Sequence, residues 1–375
     1  MADRAKNSYQ HEQGLEDALV DLVRVGVSGY GAGVRQIAGR LLRSLPPGVD
    51  EERLRPALRA ALSSSATRGD LRFASGERPQ DSEAHPLVDV DPHPEGSPLV
   101  LEGEAMAVLR EVVEERLNRD RLELAGVSPT RSLLLSGPPG VGKTLAAKWL
   151  ASEIGIPLVS LDLASVVSSY LGSSGRNIKA VLDYAQSGPC VLLLDEFDAV
   201  AKRRDDDTDI GELKRIVNVL LVELDRWPDT SLLVAATNHP QLLDPAIGRR
   251  FDRHLELKLP GLEERMQILD RLDESLSGDV RSLVSTMLEG ASGSEVVKTL
   301  ETAKRRAVLK GDRIENELLG EVVWKATQSG EARDRAWSLA SKVLGLSARQ
   351  IALKADVSHP TVSAAIRREE ERSRG

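Results

Sequence analysis

One segment of the chain has the residue types and the spacing needed to hold a phosphate group. It reads Gly137-Pro138-Pro139-Gly140-Val141-Gly142-Lys143-Thr144. Its glycines allow backbone N–H groups to turn inward around a phosphate, and the helix that follows adds the positive end of its dipole. Lys143 would reach the β- and γ-phosphates of a nucleotide, and the Thr144 hydroxyl would hold Mg²⁺. Because an apolar strand precedes the segment and a helix follows it, the context required by this motif is present.

Two carboxylates stand at the end of a second apolar run, Val191-Leu192-Leu193-Leu194. Carboxylates at the C-terminal tip of a central strand face the ligand crevice of an open sheet. Asp195 is therefore placed to support Mg²⁺ through its water shell, and Glu196 is placed to polarise an attacking water. The alternative is a helix N-terminus that carries favourable acids.

An amide follows a third apolar run, Ala235-Ala236-Thr237. Asn238 would hydrogen-bond the γ-phosphate or orient the water. The alternative is a turn-forming asparagine before His239-Pro240.

Apolar runs typical of β-strands alternate with helical patterns through the middle of the chain. The runs are Ser132–Ser136, Pro157–Leu161, Cys190–Leu194, Ser231–Ala235 and His254–Lys258. This alternation predicts an α/β fold with a parallel sheet and helices on both faces. From Leu262 to about Gly330 the pattern is only helical, which predicts an all-helical unit after the sheet.

These elements, in this order, resemble the AAA+ ATPases, and specifically the classical AAA clade in its bacterial single-ring form. The resemblance covers about residues 99 to 330 and includes the segment Leu243–Arg253, which is similar to the clade's second region of homology. It implies a P-loop NTPase fold with a helical lid, ATP and Mg²⁺ as cofactors, and a homo-oligomeric, hexameric ring.

The same resemblance implies that arginines project into the neighbouring subunit's ATP site, and Arg250 and Arg253 fall on those positions. A guanidinium that reaches the γ-phosphate stabilises charge developing in the transition state. The chain lacks two residues of the relatives' Arg-Pro-Gly-Arg-Phe-Asp sequence, so the choice among Arg249, Arg250 and Arg253 stays open. The alternative for either arginine is a surface salt bridge.

Ser169-Tyr170-Leu171-Gly172 resembles the aromatic–hydrophobic–glycine pore loop with which the clade grips an extended polypeptide. Tyr170 would be the gripping residue, with Leu171 beside it. The alternative is an aromatic side chain packed at a loop end. The resemblance thus implies a protein substrate, and by analogy with some bacterial relatives it also implies a protease partner.

The segment from Ser347 to Ile366 resembles a helix-turn-helix. Ser347 and Ser358 are candidate N-caps, and Asp356 stands where a left-handed residue is expected. If the unit binds duplex DNA, its second helix enters the major groove. The candidate contacts are then His359, Thr361 and Ser363. The alternative is a helical hairpin used for protein contact.

The predicted organisation has five parts. They are an N-terminal helical domain (1–68), a flexible linker (69–98), the large ATPase subdomain (99–260), the helical lid (261–335) and the helix-turn-helix-like tail (336–375). The linker assignment rests on five prolines among Gly, Ser, Asp and Glu residues.

Composition narrows the class of protein further. The chain has 375 residues and a formal net charge of −8, which argues against general electrostatic binding to nucleic acid. Its one cysteine, Cys190, cannot form an intramolecular disulfide and favours a reducing compartment. No apolar run reaches the roughly 18 residues that would span a bilayer. A cytoplasmic protein without membrane contact is expected.

Two functions remain in competition. The first is a ring-forming motor that threads or remodels proteins, and the second is an ATP-controlled DNA-binding regulator that uses the tail. A third, a DNA translocase, is disfavoured because nothing basic lies in the predicted pore loop. The first two can combine in a motor tethered to DNA.

Overall fold

The computed structural model describes residues 78–81, 83, 85–95, 98–169, 174–201, 210–324 and 330–372. The predicted N-terminal helical domain, Tyr170 and Leu171 lie outside these residues. The chain divides into two compact units. The first contains Ala107–Ser136 and Thr144–Leu255 with the described residues before Ser97, and the second contains Pro98–Met106, Gly137–Lys143 and the residues from Glu256 onward.

A six-stranded, mostly parallel sheet forms the centre of the first unit. Its strands are β1 (Asp89–Asp91), β2 (Ser132–Ser136), β3 (Leu158–Asp162), β4 (Val191–Asp195), β5 (Leu232–Thr237) and β6 (Arg253–Glu256). They stand in the order β1-β3-β4-β5-β2-β6. β3 pairs with β4, β4 with β5 and β5 with β2, each in parallel, whereas β1 pairs with β3 in the antiparallel sense.

The α/β fold predicted from the alternating runs is confirmed, and each predicted strand lies within two residues of its observed position. β1 was not predicted. It lies in the proline-rich segment that the composition assigns to a linker, and three residues are too few to show an alternating pattern.

Both faces of this sheet are covered. Every residue of β5 is buried, and β2 and β4 are buried at four of their five positions. Strands that are buried on both faces are continuous apolar runs, which is what the sequence shows. Cys190, next to β4, is fully buried, and this burial raises the pKa of its thiol to about 12.

Helices precede and connect the strands. They are α1 (Gly103–Leu117), α2 (Arg119–Leu124), α3 (Lys143–Ile154), α4 (Leu163–Ser169), α5 (Ser174–Gln186), α6 (Asp198–Ala201), α7 (Ile210–Asp225) and α8 (Pro245–Gly248). A single turn of 3₁₀-helix, Pro240–Leu242, lies between β5 and α8.

The second unit is helical. Its elements are α9 (Leu262–Leu272), α10 (Gly278–Met287), α11 (Gly293–Lys310), α12 (Ile314–Leu319), a π-helical segment (Gly320–Trp324), α13 (Gly330–Leu344), α14 (Ala348–Lys354) and α15 (His359–Arg372). α11 begins with a capping box, in which Ser292 and Glu295 satisfy each other's backbone N–H groups. It ends at Gly311 in the left-handed conformation.

The tail packs against the lid helices within this unit. Ile351, Val362 and Ala365 are buried together with Trp337 of α13 and Leu283 of α10. Ser347 caps α14, as predicted, and forms a capping box with Gln350. Asp356 has φ 53°, which is the left-handed conformation predicted for that position. Since Leu283 belongs to the same core, α14 and α15 are not packed independently of the lid.

Among the helices of the described residues, none combines the length and the apolar composition needed to cross a membrane.

A buried carboxylate fastens α15 to α13. Asp334 is 1% exposed, and its two oxygens accept hydrogen bonds from Nε and Nη2 of Arg368 at 2.7 and 2.9 Å. The hydrogen bond from Arg368 holds the pKa of Asp334 below its usual range. Arg372 and Arg333 lie within 4.0 Å of the same carboxylate.

We expect Asp334→Asn to lower the free energy of unfolding by about 1–3 kcal/mol, because a bidentate charged pair is lost at a buried site. The folded pKa lies below the unfolded value of about 3.9, so the pair contributes fully above that pH and less as the pH falls through the folded pKa. Hydrogen exchange of α15 against pH measures this, with the exposed Glu371→Gln as control. Equal protection of α15 in both variants would contradict the assignment.

Candidate functional site

Two glycines of the phosphate loop occupy positions where a side chain cannot fit. Gly137 has φ 143°, and a Cβ there would lie 2.1 Å from the carbonyl oxygen of Leu257. Gly140 has φ 76°, and a Cβ there would lie 2.2 Å from Oγ of Ser294. The loop therefore takes its shape from close backbone approach as well as from left-handed torsion angles.

Lys143 is 7% exposed, and its ammonium group folds back onto the loop. It donates hydrogen bonds to the carbonyl oxygens of Gly137 and Pro138, both at 2.8 Å. These carbonyls hold the cation inside the cradle that the loop forms. An incoming phosphate would exchange neutral acceptors for charged ones, which make stronger hydrogen bonds.

The same loop is joined to the start of α11. The backbone N–H of Ser294 donates to the carbonyl oxygen of Gly140 at 3.0 Å. Ser292 and Ser294 also bond each other through their hydroxyls at 3.2 Å. The loop and the first turn of the lid helix are thus one hydrogen-bonded assembly inside the second unit.

A cavity of about 230 Å³ opens beside Val141 of this loop. Its walls combine polar and apolar surface in nearly equal parts, and Glu102, Glu264 and Lys258 supply its charged groups. Lys258 lies 3.2 Å from Glu102, and the hydrogen bond between them raises the pKa of Lys258. The apolar lining comprises Val100, Leu101, Val141, Leu259, Pro260 and Ile268.

Thr144 and Asp195 meet in the first unit, as their predicted common role requires. The Thr144 hydroxyl donates to Oδ2 of Asp195 at 2.8 Å. A hydroxyl and a carboxylate at this separation form a set of hard oxygen donors suited to Mg²⁺.

Glu196 follows β4 with φ 51°, in the left-handed region. A non-glycine residue pays about 1–2 kcal/mol for this conformation, and such strain is retained where the surroundings enforce it. Its backbone N–H donates to Oδ1 of Asp195 at 2.9 Å, and its side chain is exposed. The strained turn presents the carboxylate outward at the edge of the sheet.

Asn238 directly follows β5 and is half-buried. Its backbone N–H and the Thr237 hydroxyl both bond Oδ1 of Asp198, at 3.3 and 2.9 Å. Because β5 stands between β2 and β4, the ends of all three strands lie along one edge of the sheet. Asp195, Glu196 and Asn238 are therefore brought to the same edge, as expected.

Arg253 is held inside its own chain. Its guanidinium donates to Glu111 and Glu115, both at 2.6 Å, and to the Thr130 hydroxyl at 3.1 Å. The hydrogen bond with Glu111 raises the pKa of Arg253 and lowers that of Glu111. Three partners in one geometry leave this guanidinium committed to anchoring β6 against α1.

Arg249 and Arg250 are exposed, and Arg250 forms an ion pair with Asp225 at the end of α7. Phe251, beside Arg250, packs edge-to-face on Phe197, with ring centroids 5.7 Å apart. Phe197 is the residue after Glu196, so the segment that carries the arginines rests on the segment that carries the carboxylate.

In the tail, His359 and Thr361 are exposed in the first turn of α15, and Ser363 is half-buried. The Thr361 hydroxyl bonds the Ser358 hydroxyl at 2.7 Å.

Asp198 and the cavity residues other than Val141 were missed from the sequence. Asp198 carried a signal, because it is the third carboxylate in Asp195-Glu196-Phe197-Asp198. The cavity carried none, since its walls come from segments around residues 100, 141, 260 and 293 that only the fold brings together.

Comparisons with known proteins agree with this geometry. The sequence model of the ATPase family associated with various cellular activities (AAA) matches residues 133–259. An uncharacterized AAA family ATPase, y4kL, of Sinorhizobium fredii is 40% identical over 171 residues, which are 46% of this chain and 52% of that protein.

Two further relatives have names that state an activity. The ATP-dependent zinc metalloprotease FtsH 1 of Symbiobacterium thermophilum is 37% identical over 220 residues, which are 56% of this chain and 37% of that protein. The proteasome-activating nucleotidase of Thermococcus onnurineus is 33% identical over 272 residues, which are 68% of this chain and 67% of that protein. The chain spans about half or less of the Sinorhizobium and Symbiobacterium proteins, yet it covers two thirds of the nucleotidase. The chain therefore belongs to the AAA family of ATPases.

Proposed function

We propose that this protein is an ATP-driven, ring-forming motor that remodels or threads protein substrates. The observation that carries the ATPase part is the sheet edge where Thr144 is bonded to Asp195, next to Glu196 and Asn238. These residues supply the oxygen ligands, the water-polarising carboxylate and the γ-phosphate contact that phosphoryl transfer to water needs.

The residues have separate tasks in hydrolysis. The backbone N–H groups of the loop and Lys143 would hold the phosphates, and Thr144 and Asp195 would hold Mg²⁺. When bound, Mg²⁺ neutralises charge on the phosphate oxygens. Glu196 accepts hydrogen bonds from the attacking water and aligns it with the γ-phosphorus, while Asn238 donates its amide to a γ-phosphate oxygen.

The cavity beside Val141 supports a nucleotide as the ligand. Its apolar side chains suit the two faces of a planar base, its polar groups suit the edge of that base, and it adjoins the loop that would hold the phosphates. Val141 belongs to both the loop and the cavity. One nucleotide could therefore place its phosphates in the loop and its base in the cavity.

Glu196→Gln should retain ATP binding and lose turnover, because the amide keeps the shape of the side chain but is a poor base. We expect a fall of about 100- to 10,000-fold in kcat. Phosphate release and nucleotide affinity, measured separately, check this. The control is Glu153→Gln, which removes an exposed carboxylate of α3. Unchanged hydrolysis by the Glu196 variant would refute its assigned role.

We propose further that Arg250, rather than Arg253, completes the site of a neighbouring subunit. Arg253 already has three partners within its own chain, and releasing it would leave Glu111 and Glu115 without their cation. Among the described residues Arg250 pairs with the exposed Asp225, and side chains in an exposed ion pair separate at little cost.

Mixing two inactive variants tests this assignment. Lys143→Ala subunits lack a working phosphate loop but retain Arg250, whereas Arg250→Ala subunits have the opposite defect. If the arginine acts between subunits, mixed rings regain ATP turnover, because an intact loop meets an intact arginine at some interfaces. Turnover no greater than the sum of the two separate variants would show that Arg250 acts in its own subunit or not at all.

The relatives' names support a protein substrate, since one names a protease and the other names activation of the proteasome. The proposal therefore includes a hexameric ring, Tyr170 and Leu171 as the gripping pair, and a protease as partner. A cytoplasmic location is proposed from the single cysteine and the composition of the sequence.

Stimulation of ATP turnover by an unfolded protein tests the motor. We expect an unfolded protein to raise the turnover of wild type but not of Tyr170→Ala, because the aromatic grip is lost. Tyr184→Ala is not a suitable control, as Tyr184 packs on the sheet core; Tyr170→Phe is, since it keeps the ring. If only duplex DNA stimulated ATP turnover, and did so equally in wild type and Tyr170→Ala, the proposed motor function would be refuted.

DNA binding by the tail is the second candidate function. It is favoured by the exposure of His359 and Thr361 at the start of α15, next to the left-handed turn at Asp356. The duplex arm of the same experiment tests it: a joint His359→Ala and Thr361→Ala variant should lose duplex affinity while keeping ATP turnover. Retained affinity would favour protein contact instead.

A further inference from the structure

The turn after β4 is tied to the end of β5 through one carboxylate. Oδ1 of Asp198 accepts hydrogen bonds from the Thr237 hydroxyl at 2.9 Å and from the backbone N–H of Asn238 at 3.3 Å. The Thr237 hydroxyl also accepts the backbone N–H of His239 at 3.0 Å. Thr237 is 0% exposed, so water cannot replace the carboxylate as the acceptor for its hydroxyl.

A backbone bond joins the same two segments. The N–H of Phe197 donates to the carbonyl oxygen of Ala236 at 2.9 Å. Phe197 itself is 0% exposed and packs against Phe251. Two kinds of bond thus join residues 196–198 to residues 236–238. One is formed by the Asp198 carboxylate, and the other is the backbone hydrogen bond of Phe197.

The strained conformation of Glu196 gives these bonds a task. A left-handed glutamate returns to an ordinary conformation unless its neighbours hold it. Asp198 fixes the chain two residues after Glu196, and the same oxygen fixes the backbone of Asn238. One carboxylate therefore sets the distance between the two side chains that must act together on the water and the γ-phosphate.

We propose that Asp198 is a positioning residue that locks Glu196 and Asn238 into one arrangement. This inference rests on the proposed hydrolysis of ATP, in which Asp198 acts only through those two residues. The simpler role is a favourable acid at the start of α6, where Asp198 is the first residue. That role would stabilise the turn without any specific dependence on Thr237.

The experiment compares Asp198→Ala, Asp198→Asn and Thr237→Val with wild type. We expect Asp198→Ala to lower kcat by about 10- to 100-fold, because small displacements of reacting groups are costly, while ATP affinity stays unchanged. Asp198→Asn keeps an acceptor oxygen and should restore most of the turnover. Asp183→Ala, which removes an exposed carboxylate of α5, is the control and should behave as wild type.

Thr237→Val keeps the shape of the side chain and removes its hydroxyl, which is the donor to Asp198 and the acceptor of the His239 N–H. It should lower kcat as Asp198→Ala does, and the double variant should be no slower than either single variant, because all three lose the same bond. Should Asp198→Ala fail to fold, Thr237→Val and Asp198→Asn carry the test. Additive losses in the double variant, or a wild-type kcat in Asp198→Ala, would overturn the proposal.

Amide hydrogen exchange supplies a readout that does not depend on turnover. Asp198→Ala should release the amide of Asn238 from protection, because that amide donates to the Asp198 carboxylate, whereas the helix-start role predicts loss of protection in α6 alone. A wild-type protein that hydrolyses no ATP would refute the proposed function, and the exchange pattern would still decide whether Asp198 holds the end of β5.

Discussion

Parallel hydrogen bonding of β2, β5 and β4 is the constraint on which the site depends. In a parallel sheet all strands end at one edge, and their backbone groups are satisfied only in that register. Ser136 stands opposite Thr237, and Leu194 stands opposite Ala235. The phosphate loop follows the end of β2, Asp195 ends β4, and Asn238 follows the end of β5. The register of the sheet therefore determines the positions of Asp195 and Asn238.

Three of the polar side chains assigned to ATP hydrolysis already have partners within this chain. Lys143 is held by loop carbonyls, Thr144 by Asp195, and Arg250 by Asp225. For Lys143, a bound nucleotide would replace neutral carbonyl acceptors with charged phosphate oxygens, which make stronger hydrogen bonds. Arg253 differs because two carboxylates and a hydroxyl bind its guanidinium at once. We therefore assign it to anchoring β6 against α1 and not to the neighbouring subunit's site.

The second unit connects the phosphate loop with the tail by continuous packing. Gly140 is bonded to the start of α11, whose Val296 and Leu300 share a core with Val280 and Val284 of α10. Leu283 of α10 belongs to the core of the tail. Packed interiors transmit displacement because they contain little free volume. The sequence predicted the tail as a separate unit, but the tail shares a hydrophobic core with lid helix α10.

Local pattern determined much of this protein. The loop from Gly137 to Thr144, the acids after β4 and the amide after β5 are short motifs whose chemistry depends on neighbours in sequence. The buried strands are equally legible, since burial on both faces requires unbroken apolar runs. Strand order was not available from these patterns, because it depends on pairings between residues about 100 positions apart, such as Ser132 with Leu233. The cavity beside Val141, the anchoring of Arg253 by Glu111 and Glu115, and the bond from Thr237 to Asp198 likewise join distant segments. These contacts follow from the packing of the folded chain, because no local sequence period encodes the distant partners of a side chain.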